Sequence, residues 1–299
     1  MKVLLLNIDS KLPNIALEKI ALYHKDDEII YDPIRLQEAD KVYVSCIFTK
    51  NKHKVDNYVG LRPDVIAGGT GYDMNVKLPP EIEGMKPKIN YGFTTRGCIR
   101  KCPFCMVWQS EGGIKATGDI YDIWDRKSKT ITLLDNNILA MPSHFKFICW
   151  QIREANLRVD FNQGLDIRLL TPELCKELKA IKTSGELRFA FDHPSLENTI
   201  REKVALLKEH TGGSRYFFYV LVGYNTTFDE DLHRCNVIKE LGCRAYVMRY
   251  EASANEQKYI RLAAWANQIW TFCKYSFEDF CTKRYGHEGN NKTASRLWS

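Results

Sequence analysis

The chain lacks any apolar run approaching the roughly 18 residues of a membrane span, which excludes a helical integral membrane protein. No secretory leader is expected either. The opening "MKVLLLNIDSKLP" is too short for one, and Asp9 and Lys11 soon interrupt it. A cytoplasmic location is expected, and a first strand fits the opening better. Ten cysteines in 299 residues are few for a secreted domain stapled by disulfides. No second C-x2-C pair stands at zinc-site distance from the one at Cys102 and Cys105, so an ordinary four-ligand zinc site has no evident completion.

What is present is ordinary globular composition, 44% hydrophobic and 27% charged, enough to bury a core. The net charge of +6 permits a polyanionic partner without requiring one. A mild basic excess in the tail (Lys283, Arg284, Lys292, Arg296) reads first as solvated surface.

Residues 1–75 read as a small α/β domain of Rossmann or flavodoxin type. Apolar strands are expected at 2–8, 28–32, 41–48 and 63–69, with a helix over 12–25 that spaces Leu12, Ile15, Ala16 and Ile20 helically. The Gly- and Pro-rich stretch 68–88 supplies a linker, taken as 76–90. From Tyr91 to 252, strands are expected at 91–95, 130–137, 158–164, 187–192, 216–223 and 244–250. Helices fall between them at 143–156, 171–182, 196–212 and 228–242. Thr171 suits an N-cap, and Gly212 and Gly242 sit at C-caps. Six strand–helix units suggest an α/β fold built as a partial parallel barrel with function at the C-terminal strand ends. Residues 253–299 read as a helical, aromatic extension (Trp265, Trp270, Phe272, Tyr275, Phe280) that packs on the barrel, with the last dozen residues frayed.

The stretch "TTRGCIRKCPFCMV" crowds Cys98, Cys102 and Cys105 into C-x3-C-x2-C, with Phe104 before the last. Three thiolates on one loop leave one metal position open, as a catalytic site does. A zinc knuckle completed by a distant residue and a lone redox C-x2-C are the alternatives. Gly97 allows a tight turn. Arg96, Arg100 and Lys101 add positive charge that favours thiolates.

With that loop after the first strand of a six-unit α/β barrel, residues 90–250 resemble the radical S-adenosylmethionine superfamily. The nearest likeness is to its methylthiotransferase and cobalamin-type branches, with 1–75 similar to a shortened cobalamin domain. The resemblance implies a TIM-like (β/α)6 partial barrel and a [4Fe–4S] cluster on Cys98, Cys102 and Cys105. The fourth iron is bound by S-adenosylmethionine, and a one-electron reductant of flavodoxin or ferredoxin type completes the system. It implies an enzyme that cleaves the cofactor to a 5′-deoxyadenosyl radical, which abstracts hydrogen from substrate. Carried over position by position, Phe104, Asn136, Asn137, Gln163, Arg168, Asp192 and Gly223 become cofactor contacts, with Gly223 admitting the adenine. His193 is a hydrogen-bonded neighbour.

The sequence departs from the family twice. "LLDNN" (133–137) stands where Gly-Gly-Glu is common, and the D-x-H-x-x-G signature of cobalamin binding is missing. The substrate is open between a nucleobase or tRNA and a small metabolite or peptide. Cys235, Cys243, Cys273 and Cys281 read as buried thiols or, alternatively, an auxiliary cluster. The reading of another class is a non-catalytic iron–sulfur or zinc protein for electron transfer or scaffolding.

Overall fold

The computed structural model describes residues 1–213 and 216–286; Lys292, Arg296 and the last dozen residues lie outside the described residues. Within them the chain is mixed α/β with parallel sheets, and no described helix is long and apolar enough to cross a membrane. By contacts it divides into two units, Met1–Thr132 and Leu133–Ser299. The expected linker, 76–90, runs inside the first unit.

The first unit opens with β1 (Lys2–Asn7), α1 (Ile15–Tyr23), β2 (Glu28–Ile30), β3 (Lys41–Ser45), α2 (Lys52–Leu61) and β4 (Ile66–Gly68). The strands form a parallel sheet in the order β2-β1-β3-β4. The apolar run of β1 has no alternation because the strand is buried on both faces. Leu4 and Leu6 join one core cluster, and Val3 and Leu5 join the other. Helix α1 starts later than the apolar spacing predicts. Asn14 caps it, its side chain accepting the Leu17 N–H at 3.3 Å, which leaves Leu12 outside and half exposed. Helix α2 was absent from the sequence reading because it buries only Val55, so its apolar stripe is too thin to register.

The unit continues through α3 (Pro80–Glu83), β5 (Tyr91–Gly92), β6 (Thr95–Arg96), α4 (Val107–Glu111), β7 (Lys115–Ala116) and β8 (Thr130–Leu133), where the division falls. The single strand expected at 91–95 is corrected. β6 pairs antiparallel with β7, and the Thr94 carbonyl accepts the Thr117 N–H at 2.9 Å. A hairpin partner thus takes the backbone bonds that a continuous parallel strand would have used.

The second unit alternates α5 (Pro142–Glu154), β9 (Arg158–Phe161), α6 (Pro172–Ala180), β10 (Lys182–Thr183), β11 (Leu187–Ala190), α7 (Glu197–Thr211), β12 (Tyr216–Val222), α8 (Phe228–Glu240) and β13 (Arg244–Arg249). β9 pairs parallel with β10, and β11-β12-β13 form a parallel sheet. Thr171 caps α6, accepting the Leu174 N–H at 3.3 Å, and Gly212 ends α7 in the left-handed region.

The tail folds as α9 (Gln257–Ala266), α10 (Ile269–Lys274) and α11 (Phe277–Tyr285). Trp265 is fully buried, with ring centroids 4.9 Å from Phe272 and 5.5 Å from Phe277. Trp270 departs from the aromatic core expected of this segment, being 69% exposed. Asn267 accepts the Val247 N–H at 2.7 Å and donates to the Val247 carbonyl at 3.2 Å. It thereby satisfies part of the open edge of β13, which would otherwise invite another strand.

Candidate functional site

In the first unit, residues 97–112 form a cysteine loop cinched at its neck. Arg96 Nε and the Gly97 N–H both donate to Glu111 Oε2, at 3.0 and 2.8 Å, and Arg96 Nη2 lies 2.8 Å from Glu111 Oε1. The Cys98 N–H reaches the Gly112 carbonyl at 3.2 Å. Gly97 has φ +83°, and a Cβ there would stand 2.4 Å from the Gly113 carbonyl oxygen. Glycine is therefore required by the protein's own backbone at this neck.

Inside the loop, Cys98 Sγ accepts the Arg100 N–H at 3.3 Å, which fixes the position of the sulfur against the loop backbone. The Cys105 N–H closes a turn on the Cys102 carbonyl at 3.0 Å. All three cysteines are half-exposed, and Phe104 is 37% exposed. The expected positive charge is offset at Arg96 and retained at Lys101. The Arg96 guanidinium is spent on Glu111, and the Lys101 ammonium lies 4.3 Å from the Trp108 ring centroid. The donor set is right in kind for an iron–sulfur cluster, with three soft thiols on a glycine-hinged loop. The side chains are not gathered, however. Among the described residues no three His, Cys, Asp or Glu side chains form a group that could hold a metal ion.

The other cysteines differ sharply. Cys235 and Cys243 are buried, and burial pushes their thiols up to about 12 and about 11. Cys149 is shifted upward for the same reason. Cys273 is exposed, and Cys281 is half-buried with its thiol raised to about 11. The four C-terminal-half cysteines thus do not share one environment, and no metal-holding group includes them among the described residues. Iodoacetamide applied to the native protein near pH 8 should modify Cys98, Cys102, Cys105 and Cys273 well before Cys149, Cys235 or Cys243. Peptide mass spectrometry reads the order, and early labelling of Cys235 would contradict the burial.

In the second unit, polar groups line up at the C-terminal ends of the strands. Asn137, buried after β8, donates from Nδ2 to Asp166 Oδ2 at 3.3 Å, while Asn136 is half-buried. Arg168 turns its fork onto Asp166, Nε to Oδ1 at 2.6 Å and Nη2 to Oδ2 at 3.0 Å. Arg168, expected as a cofactor contact, is held in this structure by the protein's own carboxylate. Gln163 is exposed on the turn after β9. Asp192 Oδ1 accepts the Leu221 N–H at 3.3 Å. His193 Nδ1 lies 2.8 Å from Ser195 Oγ at the start of a short 3-10 turn, a capping role.

Gly223 has φ +75°, and a Cβ there would meet Ser253 Oγ at 2.0 Å. The close approach that fixes this glycine is to Ser253 and Tyr259 of the same unit. Beneath it lies a pair the sequence reading missed, Asp231 and Arg234, both fully buried. In "FDEDLHRC" they look like two more charges on a solvated helix start, and only burial distinguishes them.

Burial is the largest influence on Asp192. It lifts the carboxyl above its usual range against the Leu221 N–H and the charges of Arg234 and Arg168. A raised folded value means the native state holds the proton more tightly than the unfolded chain. The resulting stabilisation is complete below the unfolded value of about 3.9 and is lost as pH rises through the folded one. Asp192→Asn should therefore gain thermal stability relative to wild type as pH rises from 4.5 to 7.5. A difference in Tm that stays constant over that range would contradict it.

The first unit also holds a cavity of about 260 Å³ beside α1, β3 and β4, with Ser45, Gly68, Gly69 and Thr70 on its wall. Compared with known proteins, the chain matches no family model and no curated protein.

Proposed function

We propose that this protein is a radical S-adenosylmethionine enzyme whose [4Fe–4S] cluster is held by Cys98, Cys102 and Cys105, the fourth iron being left for the cofactor. The observation that carries the reading is the set of three half-exposed thiols within eight residues, on a loop whose neck is fixed by Glu111 and Gly97. Loading requires the three side chains to turn toward one point. The cost of turning them is offset by the free energy of forming metal–thiolate bonds. When bound, the cluster and cofactor supply one-electron cleavage of the S–C5′ bond, the electron coming from a flavodoxin- or ferredoxin-type donor.

The protein's own groups have separate tasks. The Arg100 N–H holds the Cys98 sulfur in place, and Glu111 keeps the loop closed at its base. In the second unit, Asn137, Arg168 and Asp192, which the resemblance makes cofactor contacts, carry hydrogen-bonding groups near strand ends, and Asp166 binds the first two of them. Asp166 and Arg168 must part, or act as a joined pair, for Arg168 to serve a ligand.

Anaerobic reconstitution with iron and sulfide, then addition of S-adenosylmethionine and dithionite, tests the reading by chromatography for 5′-deoxyadenosine. Wild type should form it, and Cys98→Ala, Cys102→Ala and Cys105→Ala should not. A protein that holds about four irons yet shows neither product nor a spectral change on adding the cofactor would be a non-catalytic iron–sulfur protein, and the proposal would fall.

A further inference from the structure

We propose that the open face of the β11-β12-β13 sheet is a stacking platform for a nucleobase. The inference deepens the reading above by naming the substrate class, and it rests on that reading only for the word substrate.

The sheet has two unlike faces. On one, Phe189, Tyr216, Phe218, Val220, Val222, Ala245 and Val247 are all buried. On the other, strand register places three rows: Arg188, Phe217 and Arg244; then Ala190, Tyr219 and Tyr246; then Leu221 and Met248. A second face meant as core would be equally covered, yet here Tyr246 is 41% and Met248 48% exposed. The open Tyr246 ring and Met248, continuous with the half-buried Phe217 and Tyr219, form an apolar surface of the kind that marks a binding site.

The rings are arranged. Phe217 and Tyr246 lie within 30° of a common plane direction with centroids 5.8 Å apart. Tyr219 stands nearly perpendicular to both, at 78° and 84°. Two similarly oriented rings with an upright third make a shelf and a backstop, and Ala190 beside Tyr219 keeps the adjoining position small. Burial raises the Tyr219 phenol above its ordinary value, so at neutral pH it remains an uncharged donor.

The rim decides what kind of planar ligand suits. Arg188 is ion-paired with Asp160, so guanidinium donors and carboxylate acceptors stand side by side. That pattern complements the amide-like edge of a base, where N–H and C=O are adjacent. The Arg244 guanidinium lies 5.4 Å from the Phe217 centroid, adding a cation to the π system, while Glu186 holds it at 2.5 Å. A lipid tail would leave these charged pairs idle. A base uses both the rings, as single-strand binders do, and the rim. The same base chemistry is carried by a free nucleotide and by a single strand of RNA.

The test uses the full chain carrying Cys98→Ala, Cys102→Ala and Cys105→Ala, without cofactor, so failure of the cluster cannot cause failure of binding. One arm titrates AMP, GMP, CMP and UMP calorimetrically; the other follows anisotropy of a labelled single-stranded RNA of mixed sequence. Binding in either arm should weaken about tenfold in Tyr246→Leu and in Phe217→Leu. Tyr246→Phe, which keeps the ring and reports on folding, should preserve it. Nucleotide binding without RNA binding assigns a free substrate; RNA binding without nucleotide binding assigns a strand. Absence of binding in both arms overturns the proposal, as does binding that Tyr246→Leu and Phe217→Leu leave unchanged.

Discussion

Replacing Arg234 by alanine should cost about 3–5 kcal/mol of unfolding free energy, because it strands a buried carboxylate. Arg234 and Asp231 are both fully buried and ion-paired on α8. Arg234 also donates to the Phe191 carbonyl and, from Nη2 at 2.7 Å, to the Leu221 carbonyl. Asp231 Oδ2 accepts the Gly223 N–H at 2.8 Å. One helix turn thus pins the ends of β11 and β12, the segments that carry Asp192 and Gly223. Truncation leaves three acceptors without their donor in a site water does not reach. The double variant Asp231→Leu with Arg234→Met removes the stranded charge but leaves the Phe191 and Leu221 carbonyls and the Gly223 N–H without these partners, so it should recover only the part of the loss that the lone carboxylate causes. Urea unfolding of the three proteins measures it. A loss under about 1 kcal/mol for Arg234→Ala would mean that the pair is more hydrated than its burial implies.

The second large effect is expected at the neck of the cysteine loop. Gly97→Ala meets two costs: about 1–2 kcal/mol for a left-handed φ, and a Cβ within 2.8 Å of the carbonyl oxygens of both Gly112 and Gly113. Neither oxygen belongs to a flexible side chain, so the neck must open. Gly112 provides the internal comparison, since its φ is +74° with nothing within 4 Å of an added Cβ. Gly113 has open space and no positive φ. Iron retained after reconstitution should therefore fall most in Gly97→Ala, less in Gly112→Ala and hardly at all in Gly113→Ala. Equal retention in the first two would show that the close approach does not govern the loop.

Much of this architecture was legible in the residues themselves. The unbroken apolar run of β1, the Thr171 cap and the Gly212 stop act over a few neighbours, so local chemistry fixes them. The cysteine loop was legible for the same reason: three thiols in eight residues are close whatever the fold. Helix α2 was hidden because a helix touching the core through one residue carries almost no periodic signal.

What only the tertiary structure decided is where each charge goes. The sequence alone determined an α/β chain with a cysteine triplet and polar strand ends. It did not determine that Arg96 belongs to Glu111, Arg168 to Asp166 and Arg188 to Asp160, or that Arg234 is buried. Nor did it determine that Gly223 makes room for Ser253. The reason is physical. An isolated charge in a sequence reads as surface because water is its commonest partner, and a burial penalty exists only once other segments have excluded that water. Which face of β12 stays open is decided the same way, by the helices that cover Phe218 and leave Tyr219 beside Tyr246.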